Sequence, residues 1–475
     1  MDKFIEFAKI FLVIVNAFFV LYLVIYSTYL FLSSVVGSCI LFKHKNYRKL
    51  SNRLKHDYYV PVSILVPAYN EELTVVETVK SLLELDYKLY EIIVIDDGSK
   101  DNTSKELIDY FKLKQVSRPI RKQVTCKEIK EVYETNQYKV KITLLKKVNG
   151  GKADALNAGI NASEYPYFTS MDADSMLQHD SLENIVRPIL SDDRVVACGG
   201  IVRIANDLKL ENRKVNEYHL PKSILTSMQV LEYDRSFLAS RILFDQFNGN
   251  LIISGAFGLF KKDIAIAAGG YDVDTVGEDF ELVIKLHVFC KMHKIDYLIK
   301  YIPEAICWSQ APSTVKDLIK QRRRWNKGLL QGMSKYKELF LNPKYGLVSF
   351  ISFLYFLIYE LLSPFIEIFG ILTMLLAFYL DLLNVRFMLM FMFIYVIFGG
   401  ILSLSTFLSR LHIENIKLSF SDLVKATILC VFEITVLRYI ILIARFSSFI
   451  GYKKKRNEWD RVERTKMEFK SEKFS

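Results

Sequence analysis

Two acidic side chains separated by one residue are the first candidates for chemistry in this sequence. Asp172 and Asp174 follow the apolar segment Tyr165–Met171, whose composition predicts a strand. Residues two apart on an extended chain point to the same side, so both carboxylates could face one ion. Hard oxygen ligands at a strand end suit Mg²⁺ or Mn²⁺ bridging a diphosphate. A pair of acidic turn residues would give the same pattern.

Two further strand ends carry polar motifs. Asp96 and Asp97 lead into Gly98, and such carboxylates could accept hydrogen bonds from a nucleobase or a ribose. The alternative is an Asx turn in which Gly98 supplies a positive φ. In Gly150–Lys152 the glycines permit close backbone approach and the lysine supplies a point charge for phosphate. Ala153 stands where a Walker A loop has Ser or Thr, so that motif is excluded, and an ordinary strand-to-helix turn is the alternative.

Two motifs lie at or within predicted helices. Glu278 and Asp279 open a helix, where acidic residues usually serve as caps; the functional interpretation makes one of them a general base. The sequence Gln321–Trp325 reads QRRRW and lies in a basic amphipathic stretch. Basic helices with tryptophan commonly lie at membrane interfaces. An arginine there could also neutralise a leaving diphosphate, and the tryptophan could form an apolar platform for a sugar ring.

The elements that must position these residues alternate between strand and helix. Apolar strands are predicted in PVSILVPAYN, EIIVIDD, KITLLKK and YFTSM, and a helix is predicted around Val75, Val79, Leu82 and Leu83. This alternation favours a doubly wound, mostly parallel α/β sheet. Ligands bind beyond the carboxyl ends of the strands in such sheets, where the polar motifs cluster. The polar stretch Lys105–Tyr138 lacks clear periodicity and is predicted to be an insertion at the edge of the domain.

Both ends of the chain are apolar. Residues 1–42 are predicted to be a retained transmembrane anchor, as one long helix or a tight hairpin, and residues 43–58 a basic cytosolic linker. Residues 59–312 form the α/β domain and residues 313–345 an amphipathic interfacial segment. About four transmembrane helices are expected in residues 346–449, and Pro364 would kink or divide the first pair; two crossings also fit a cytosolic tail at residues 450–475.

Charge and cysteine content narrow the function. The net charge is +11, but much of the basic excess flanks apolar blocks, so it indicates anionic headgroups rather than nucleic acid. The six cysteines show no paired spacing, which predicts neither a disulfide framework nor a zinc site. We expect a reduced, cytosolic central domain in a multi-pass protein of the cell membrane.

With these residues assembled, the chain resembles the membrane-bound family 2 glycosyltransferases, the group of hyaluronan, cellulose, chitin and poly-N-acetylglucosamine synthases. The resemblance covers residues 61–328 and the order of anchor, catalytic domain and C-terminal spans. It implies a GT-A fold, with Asp279 as the catalytic base beside Glu278. Gly277 stands where the family usually has threonine. The segment around Ser254, where the family has its acceptor-binding loop, lacks the FFCGS sequence of several polymer synthases.

The resemblance also implies binding roles. The residues implied at the nucleotide sugar are Pro67, Ala68, Tyr69, Asn70, Glu71, Asp97, Lys152, Asp172 and Arg324. The metal would be held by Asp174 with Asp172, and the acceptor would meet Ser254, Gly255, Ala256 and Trp325. The implied cofactor is Mg²⁺ or Mn²⁺.

The expected activity is inverting transfer from a UDP-sugar to a growing β-glycan that threads through the membrane. Transfer of one sugar to a polyprenyl phosphate or glycolipid is the nearest alternative, and a catalytically silent assembly subunit is the other. Intact carboxylates at Asp97, Asp172, Asp174 and Asp279 disfavour a silent subunit. Expected partners are the donor, a glycan or lipid-linked acceptor, the bilayer and an accessory membrane or regulatory subunit.

Overall fold

The computed structural model describes residues 2–51, 59–207, 217–414, 416–450 and 452. Residues 52–58 of the predicted basic linker and nearly all of the predicted tail therefore lie outside the described residues. The strands are β1 Val62–Ala68, β2 Tyr90–Asp96, β3 Lys114–Val116, β4 Ile129–Thr135, β5 Ile142–Lys147, β6 Tyr167–Ser170, β7 Met176–Leu177, β8 Val195–Ile204, β9 Glu217–Tyr218, β10 Gly258–Lys261, β11 Leu298–Ser309 and β12 Lys417–Leu418.

The α-helices begin with one long N-terminal helix. They are α1 Asp2–Ser51, α2 Val75–Leu83, α3 Thr103–Phe111, α4 Lys152–Ala162, α5 Ser181–Ser191, α6 Ile224–Arg235, α7 Arg241–Asp245, α8 Lys262–Ala267, α9 Glu278–Met292, α10 Val315–Lys335, α11 Ser363–Tyr379, α12 Val385–Glu414, α13 Phe420–Phe432 and α14 Arg438–Phe449. Turns of π-helix span Ser236–Ser240, Val348–Phe353, Phe356–Leu361 and Glu433–Leu437, and 3₁₀ turns span Lys337–Leu339 and Pro343–Tyr345.

The central region is built on a ten-stranded sheet in the order β3-β4-β5-β2-β1-β6-β10-β8-β11-β7. The block β5-β2-β1-β6 is parallel, and β8 is parallel to β11. β10 and the two edges pair antiparallel. The predicted doubly wound α/β fold is confirmed as a mixed sheet, and the carboxyl ends of the four strands in its parallel block lie at the same end of the sheet.

Helices cover both faces of this sheet because side chains alternate along each strand. Along β1, Val62, Ile64 and Val66 pack into the core that includes α2 and α5, whereas Leu65 packs against α4 and α9. All four side chains are fully buried. The strand ends are thereby held between two packed layers.

The polar stretch Lys105–Tyr138 is folded rather than irregular. It contains most of α3 and all of β3 and β4, and it adds antiparallel strands to the edge beside β5. Its position at the domain edge was predicted, but its strands were not. Charged side chains on the exposed face hid the alternation, since Ile129–Thr135 buries fully only Val132 and Thr135.

The apolar ends form long helices. Glu6–Lys43, Val385–Glu414 and Phe420–Phe449 are each long and apolar enough to cross a membrane. The N-terminal segment is one long helix rather than a hairpin, the first of the two predicted forms. The first two predicted C-terminal spans form a pair of helices, Val348–Leu361 and Ser363–Tyr379, bent by 52° at the position where a kink or division was predicted. Pro364 stands in the first turn of the second helix, where its missing N–H is tolerated.

Buried ion pairs join the sheet to the apolar helix α12. Arg203 on β8 contacts Glu414, and Arg410 donates to Asp234 Oδ2 on α6 at 2.8 Å. The side chains of Arg203, Arg410 and Asp234 are almost completely buried. The α/β domain, which carries the polar motifs at its strand ends, is therefore fixed to the apolar helices.

Candidate active site

The loop after β1 is tied to the loop after β2. Asp97 N donates to Ala68 O at 2.9 Å, and Asn70 N donates to Ser99 Oγ at 2.9 Å. Tyr69 follows Ala68 and remains 37% exposed, so part of its ring is open to a planar partner. The geometry is compatible with the implied contact to a nucleobase.

Asp96 forms a turn. Its Oδ1 accepts from Ser99 N at 2.7 Å, and Gly98 has a φ of +72°. This is the Asx-type arrangement that the sequence offered as an alternative. Asp96 therefore shapes the loop, and the carboxylate that faces the site is that of its neighbour.

Asp97 is buried against the turn that follows β5. Its carboxylate accepts from Lys147 Nζ at 2.6 Å and from the backbone N–H groups of Gly150 and Gly151 at 2.9 and 2.7 Å. Burial raises the pKa of Asp97, and Lys147 together with the two amides opposes that rise. Asp97 thus already holds the glycine turn. A nucleobase would bind a carboxylate that is hydrogen-bonded within the protein, and its contact would add to those already made.

Lys152 opens α4 and lies among three carboxylates. Its Nζ is 2.6 Å from Asp172 Oδ1 and 3.2 Å from Glu278 Oε1. The charges of Asp172, Glu278 and Asp279 raise the pKa of Lys152 although burial opposes them. Burial raises the pKa of Glu278, and the charge of Asp279 adds to that rise while Lys152 opposes it. The strand-end lysine is therefore charged and in the site, rather than exposed at a turn.

The Asp172–Asp174 segment differs from its prediction in local conformation. It is a turn rather than extended chain, with Ser175 N donating to Asp172 O at 3.1 Å. The predicted extended conformation of Asp172 and Asp174 is therefore wrong, although both carboxylates line the same cavity.

The carboxylates of this turn fit a metal that is completed by substrate. Among the described residues no group of three or more His, Cys, Asp and Glu side chains could hold a metal ion. Mg²⁺ is commonly bound through one or two carboxylates, with phosphate and water supplying the remaining oxygens. Asp172 also holds a cation, the Lys152 ammonium, at 2.6 Å. Asp172 and Asp174 have the chemistry for a metal ion on a diphosphate.

The predicted acceptor loop contacts the predicted base directly. Gly255 N donates to Asp279 Oδ2 at 3.0 Å. A Cβ built on Gly255 would lie 3.0 Å from Lys152 Nζ, which is a tight contact. Glycine at this position lets the backbone approach the carboxylate and the ammonium together. Ser254 and Ala256 line the cavity on either side of it.

The QRRRW motif lines the cavity, and one of its arginines also supports its tryptophan. Arg322 is buried, donates to Glu232 Oε2 at 2.7 Å and stacks 4.5 Å from the ring centroid of Trp325. Trp325 is also 6.4 Å from the ring of Tyr233 and keeps 43% of its surface exposed. Arg324 and Trp325 both line the cavity. Arg322 therefore holds the indole in place.

A close backbone contact accounts for glycine rather than threonine at position 277. A Cβ built on Gly277 would lie 2.7 Å from Gly328 Cα, and one on Gly328 would lie 2.6 Å from Gly277 Cα. The backbones of α10 and the start of α9 therefore touch. Gln331 Oε1 strengthens the contact by accepting from Val276 N at 2.9 Å. The distance between Asp279 and the QRRRW helix is set by this contact.

One cavity of about 1560 Å³ connects all of these groups. Every predicted site residue lines it: Pro67, Ala68, Tyr69, Asn70, Glu71, Asp97, Lys152, Asp172, Asp174, Ser254, Gly255, Ala256, Glu278, Asp279, Arg324 and Trp325. Residues from six separate segments of the chain and from α10 therefore share one space, although the sequence does not show which atoms meet.

The same cavity extends between the apolar helices. There, arginines pair with glutamates: Arg235 with Glu433 at 2.7 Å, Arg438 with Glu367 at 2.9 Å, and Arg445 with Glu360. Tyrosines line the same part of the wall, at positions 22, 26, 355, 359 and 395. Ionisable residues within apolar helices usually mark a functional path.

Family models decide the class of chemistry. The model described as Glycosyl transferase family 2 matches residues 63–267, and that described as Glycosyl transferase family group 2 matches residues 167–449, more than half of the chain. The chain is a family 2 glycosyltransferase. The resemblance drawn from the motifs is confirmed, and with it the GT-A-type fold and the activity class.

Curated relatives of this glycosyltransferase are glycan synthases. It is 33% identical over 312 residues to the poly-beta-1,6-N-acetyl-D-glucosamine synthase of Staphylococcus epidermidis, covering 65% of this chain and 64% of that one. The enzyme of the same name from Staphylococcus aureus is 31% identical over the same length and shares. The match thus spans slightly less than two thirds of the relatives.

A solved structure shows distant likeness. The mannosyltransferase PcManGT from Pyrobaculum calidifontis, in complex with GDP-Man and Mn²⁺, aligns with a TM-score of 0.49 and 16% identity over 81% of this chain and 97% of that one. At this level the likeness says nothing about the ligands of the glycosyltransferase described here.

Several lining or supporting residues have no sequence motif. Lys147 holds Asp97, yet adjacent Lys146 points to Glu131 at the exposed edge, and the sequence alone does not separate the two. Arg241 lines the cavity and lies 3.8 Å from the ring centroid of Phe237, with no hydrogen-bond partner for Nη1 among the described residues. A π-helical turn directly before Arg241 is a structural signal that such a site is near.

Proposed function

We propose that this glycosyltransferase is a processive synthase that transfers an amino sugar, N-acetylglucosamine, from its UDP derivative to the end of a growing β-linked polymer. The observation that carries the proposal is the single cavity, which runs from the carboxylates at the strand ends to the ion pairs between the apolar helices. The names of the curated relatives support the choice of sugar and linkage.

The proposed transfer is a single displacement. Asp279 takes the proton of the acceptor hydroxyl while that oxygen attacks the anomeric carbon and the bond to UDP breaks. Gly255 N donates to Asp279 Oδ2 at 3.0 Å and Phe280 N donates to Oδ1 at 2.8 Å, so two backbone amides fix the orientation of the carboxylate. One displacement at an α-linked donor gives a β-linked product.

Cationic groups would stabilise the departing UDP. Lys152 lies beside Asp172 and Glu278 and would turn its ammonium to the donor phosphates, and Arg324 approaches from α10. Mg²⁺ or Mn²⁺, held by Asp172 and Asp174, would supply further positive charge at the diphosphate. Trp325, fixed by Arg322 and Tyr233, would form the platform for the acceptor sugar ring.

The charge balance between the apolar helices favours a neutral polymer over a polyprenyl phosphate. In this part of the cavity, Arg235, Arg438 and Arg445 each have a glutamate partner. A lipid phosphate would be attracted by an excess of arginine charge, whereas paired charges and tyrosines offer hydrogen bonds to hydroxyl and acetamido groups. The growing glycan would therefore leave through this space.

The proposed location is the cell membrane, crossed several times, with the catalytic domain in the cytosol. Three helices meet the length and hydropathy for crossing, and a fourth crossing would need the bent pair to count as one span. UDP-sugars are cytosolic substrates, and the basic flank after Lys43 is typical of a cytosolic boundary.

Product analysis tests the proposal. The full chain, purified in detergent, would be supplied with radiolabelled UDP-N-acetylglucosamine, then with UDP-glucose, with Mg²⁺ or Mn²⁺ present. We expect a ladder of long products from UDP-N-acetylglucosamine that a β-1,6-specific hexosaminidase degrades. Products limited to one added sugar on an extracted lipid would contradict processive synthesis and support the polyprenyl phosphate or glycolipid alternative.

A further inference from the structure

Lys147 is a fully buried lysine whose ammonium is completely engaged. Its Nζ lies 2.6 Å from Asp97 Oδ1, 2.5 Å from Asp154 Oδ1 and 2.7 Å from Val148 O. A lysine ammonium has three donors, and three acceptors surround this one. A side chain so placed has no capacity left to bind substrate itself.

The two carboxylates that Lys147 holds fix both sides of the glycine turn. On one side, Asp97 accepts from the N–H groups of Gly150 and Gly151. On the other, Asp154 Oδ2 accepts from Lys127 N at 3.0 Å, and Lys127 Nζ donates to Asn149 O at 2.6 Å. The turn is thereby held between β5, α4 and the segment Lys105–Tyr138 at the edge of the domain.

Gly150 shows how closely this turn is fitted. A Cβ at Gly150 would lie 2.4 Å from Asp154 Oδ1, so only glycine fits while Asp154 faces Lys147. The turn ends at Lys152, whose ammonium meets Asp172 and Glu278. A shift of the turn would therefore move Lys152 as well as Asp97.

Asp97 also has limited room for a further partner. Its Oδ1 accepts from Lys147 and Gly150, which uses both lone pairs, and its Oδ2 accepts from Gly151. One lone pair on Oδ2 remains, enough for a single N–H of a nucleobase. Its direction depends on how Lys147 orients the carboxylate.

We propose that Lys147 is a positioning residue for the nucleotide-sugar donor, acting through Asp97 on the nucleobase end and through the glycine turn on Lys152 at the phosphate end. This inference rests on the proposed function of the site as a UDP-sugar site. It predicts that loss of the buried ammonium weakens donor binding more than it slows the bound complex.

The test measures the affinity for UDP by calorimetry, and donor KM and kcat by product formation, on the full chain in detergent. Lys147→Met keeps the stem and removes the charge, and we expect KM and the UDP dissociation constant to rise by about tenfold or more with a smaller change in kcat. Asp154→Asn, which retains the shape but leaves Lys147 one counter-ion fewer, should act in the same direction and more weakly.

Lys262→Met is the matched control for loss of a half-buried lysine. Its Nζ donates to Ser163 O at 2.5 Å, away from the cavity, so the melting temperature should fall without a change in donor KM. Donor KM and UDP affinity within twofold of the parent in both test variants would overturn the inference, as would a loss confined to kcat. If Lys147→Met does not fold, Asp154→Asn decides alone. Failure of the parent protein to bind UDP would instead refute the proposed function.

Discussion

The two halves of the cavity contain the same kinds of charged side chains but pair them differently. At the strand ends, the ammonium of Lys152 lies among Asp172, Glu278 and Asp279, and the charge of Arg324 also acts on Glu278. Between the apolar helices, each of three arginines has a glutamate partner. Negative charge is in excess around Lys152 and balanced between the helices.

This difference in charge pairing matches the different roles proposed for the two halves of the cavity. Carboxylates that outnumber the nearby cations suit the proposed base at Asp279 and the proposed metal ion at Asp172 and Asp174. Balanced pairs keep polar groups at the wall of an apolar region without attracting ions. Charge pairing, rather than residue type, therefore separates the proposed reaction site from the proposed glycan path.

The largest expected effect comes from removing the base in the unbalanced half. Asp279→Asn should lower kcat by about 10³-fold, because the amide cannot take the acceptor proton, while the affinity for UDP changes little. Radiolabelled product formation and calorimetry measure the two quantities. Asp274→Asn is the control, since Asp274 is exposed on the same loop and does not line the cavity. Full turnover by Asp279→Asn would refute the assignment.

A smaller effect is expected from the turn beside Lys152. Asp174→Ala should reduce activity by about 10²-fold and remove the response to added Mg²⁺ or Mn²⁺, since one of two proposed ligands is lost. Titration of each metal into chelator-treated enzyme measures this. The exposed Asp193→Ala should retain the parent response. Activity of the parent enzyme that is unchanged in chelator would contradict metal dependence.

Unbalancing a pair between the helices should shorten the product before it stops chemistry. Glu433→Gln leaves Arg235 without its counter-ion, and loss of one partner of a buried pair costs about 3 kcal/mol. We expect a lower melting temperature and a shorter ladder, with the rate of the first transfer nearly unchanged. The swap Arg235→Glu with Glu433→Arg should recover most of both, and Glu6→Gln should change neither. Unaltered length in Glu433→Gln would weaken the proposed path.

Motifs within one loop could be predicted from the sequence because their parts lie close along the chain. Asp97, Lys152 and Asp174 each follow an apolar strand, and because these strands are parallel their carboxyl ends lie at the same end of the sheet. The turn at Asp172–Asp174 shows the limit of this reasoning, since side-chain direction after a strand depends on the hydrogen bonds that close the turn.

Contacts between distant segments could not be predicted. Arg235 and Glu433 are 198 residues apart, and no periodicity in either segment indicates the other. Lys146 and Lys147 are chemically identical neighbours, separated only by the face of β5 on which each lies. The bend before Ser363 could be expected from Pro364, but whether two apolar blocks form two spans or one bent pair depends on packing against α1 and α14.

The smallest expected effect concerns the acidic limb of the pH profile. Burial and the charge of Asp279 raise the pKa of Glu278, so this side chain takes up a proton at a higher pH than an ordinary glutamate as the pH falls. Protonation removes one of the two nearest partners of Lys152, and kcat/KM should decline over that range. Glu278→Gln removes the titration, so its acidic limb should move to lower pH, whereas Glu106→Gln on the exposed face of α3 should leave it in place. If the acidic limb of the pH profile does not move in Glu278→Gln, Lys152 does not depend on this partner. The excess of carboxylates in this half of the cavity would then be needed only for the proposed metal ion and the proposed base.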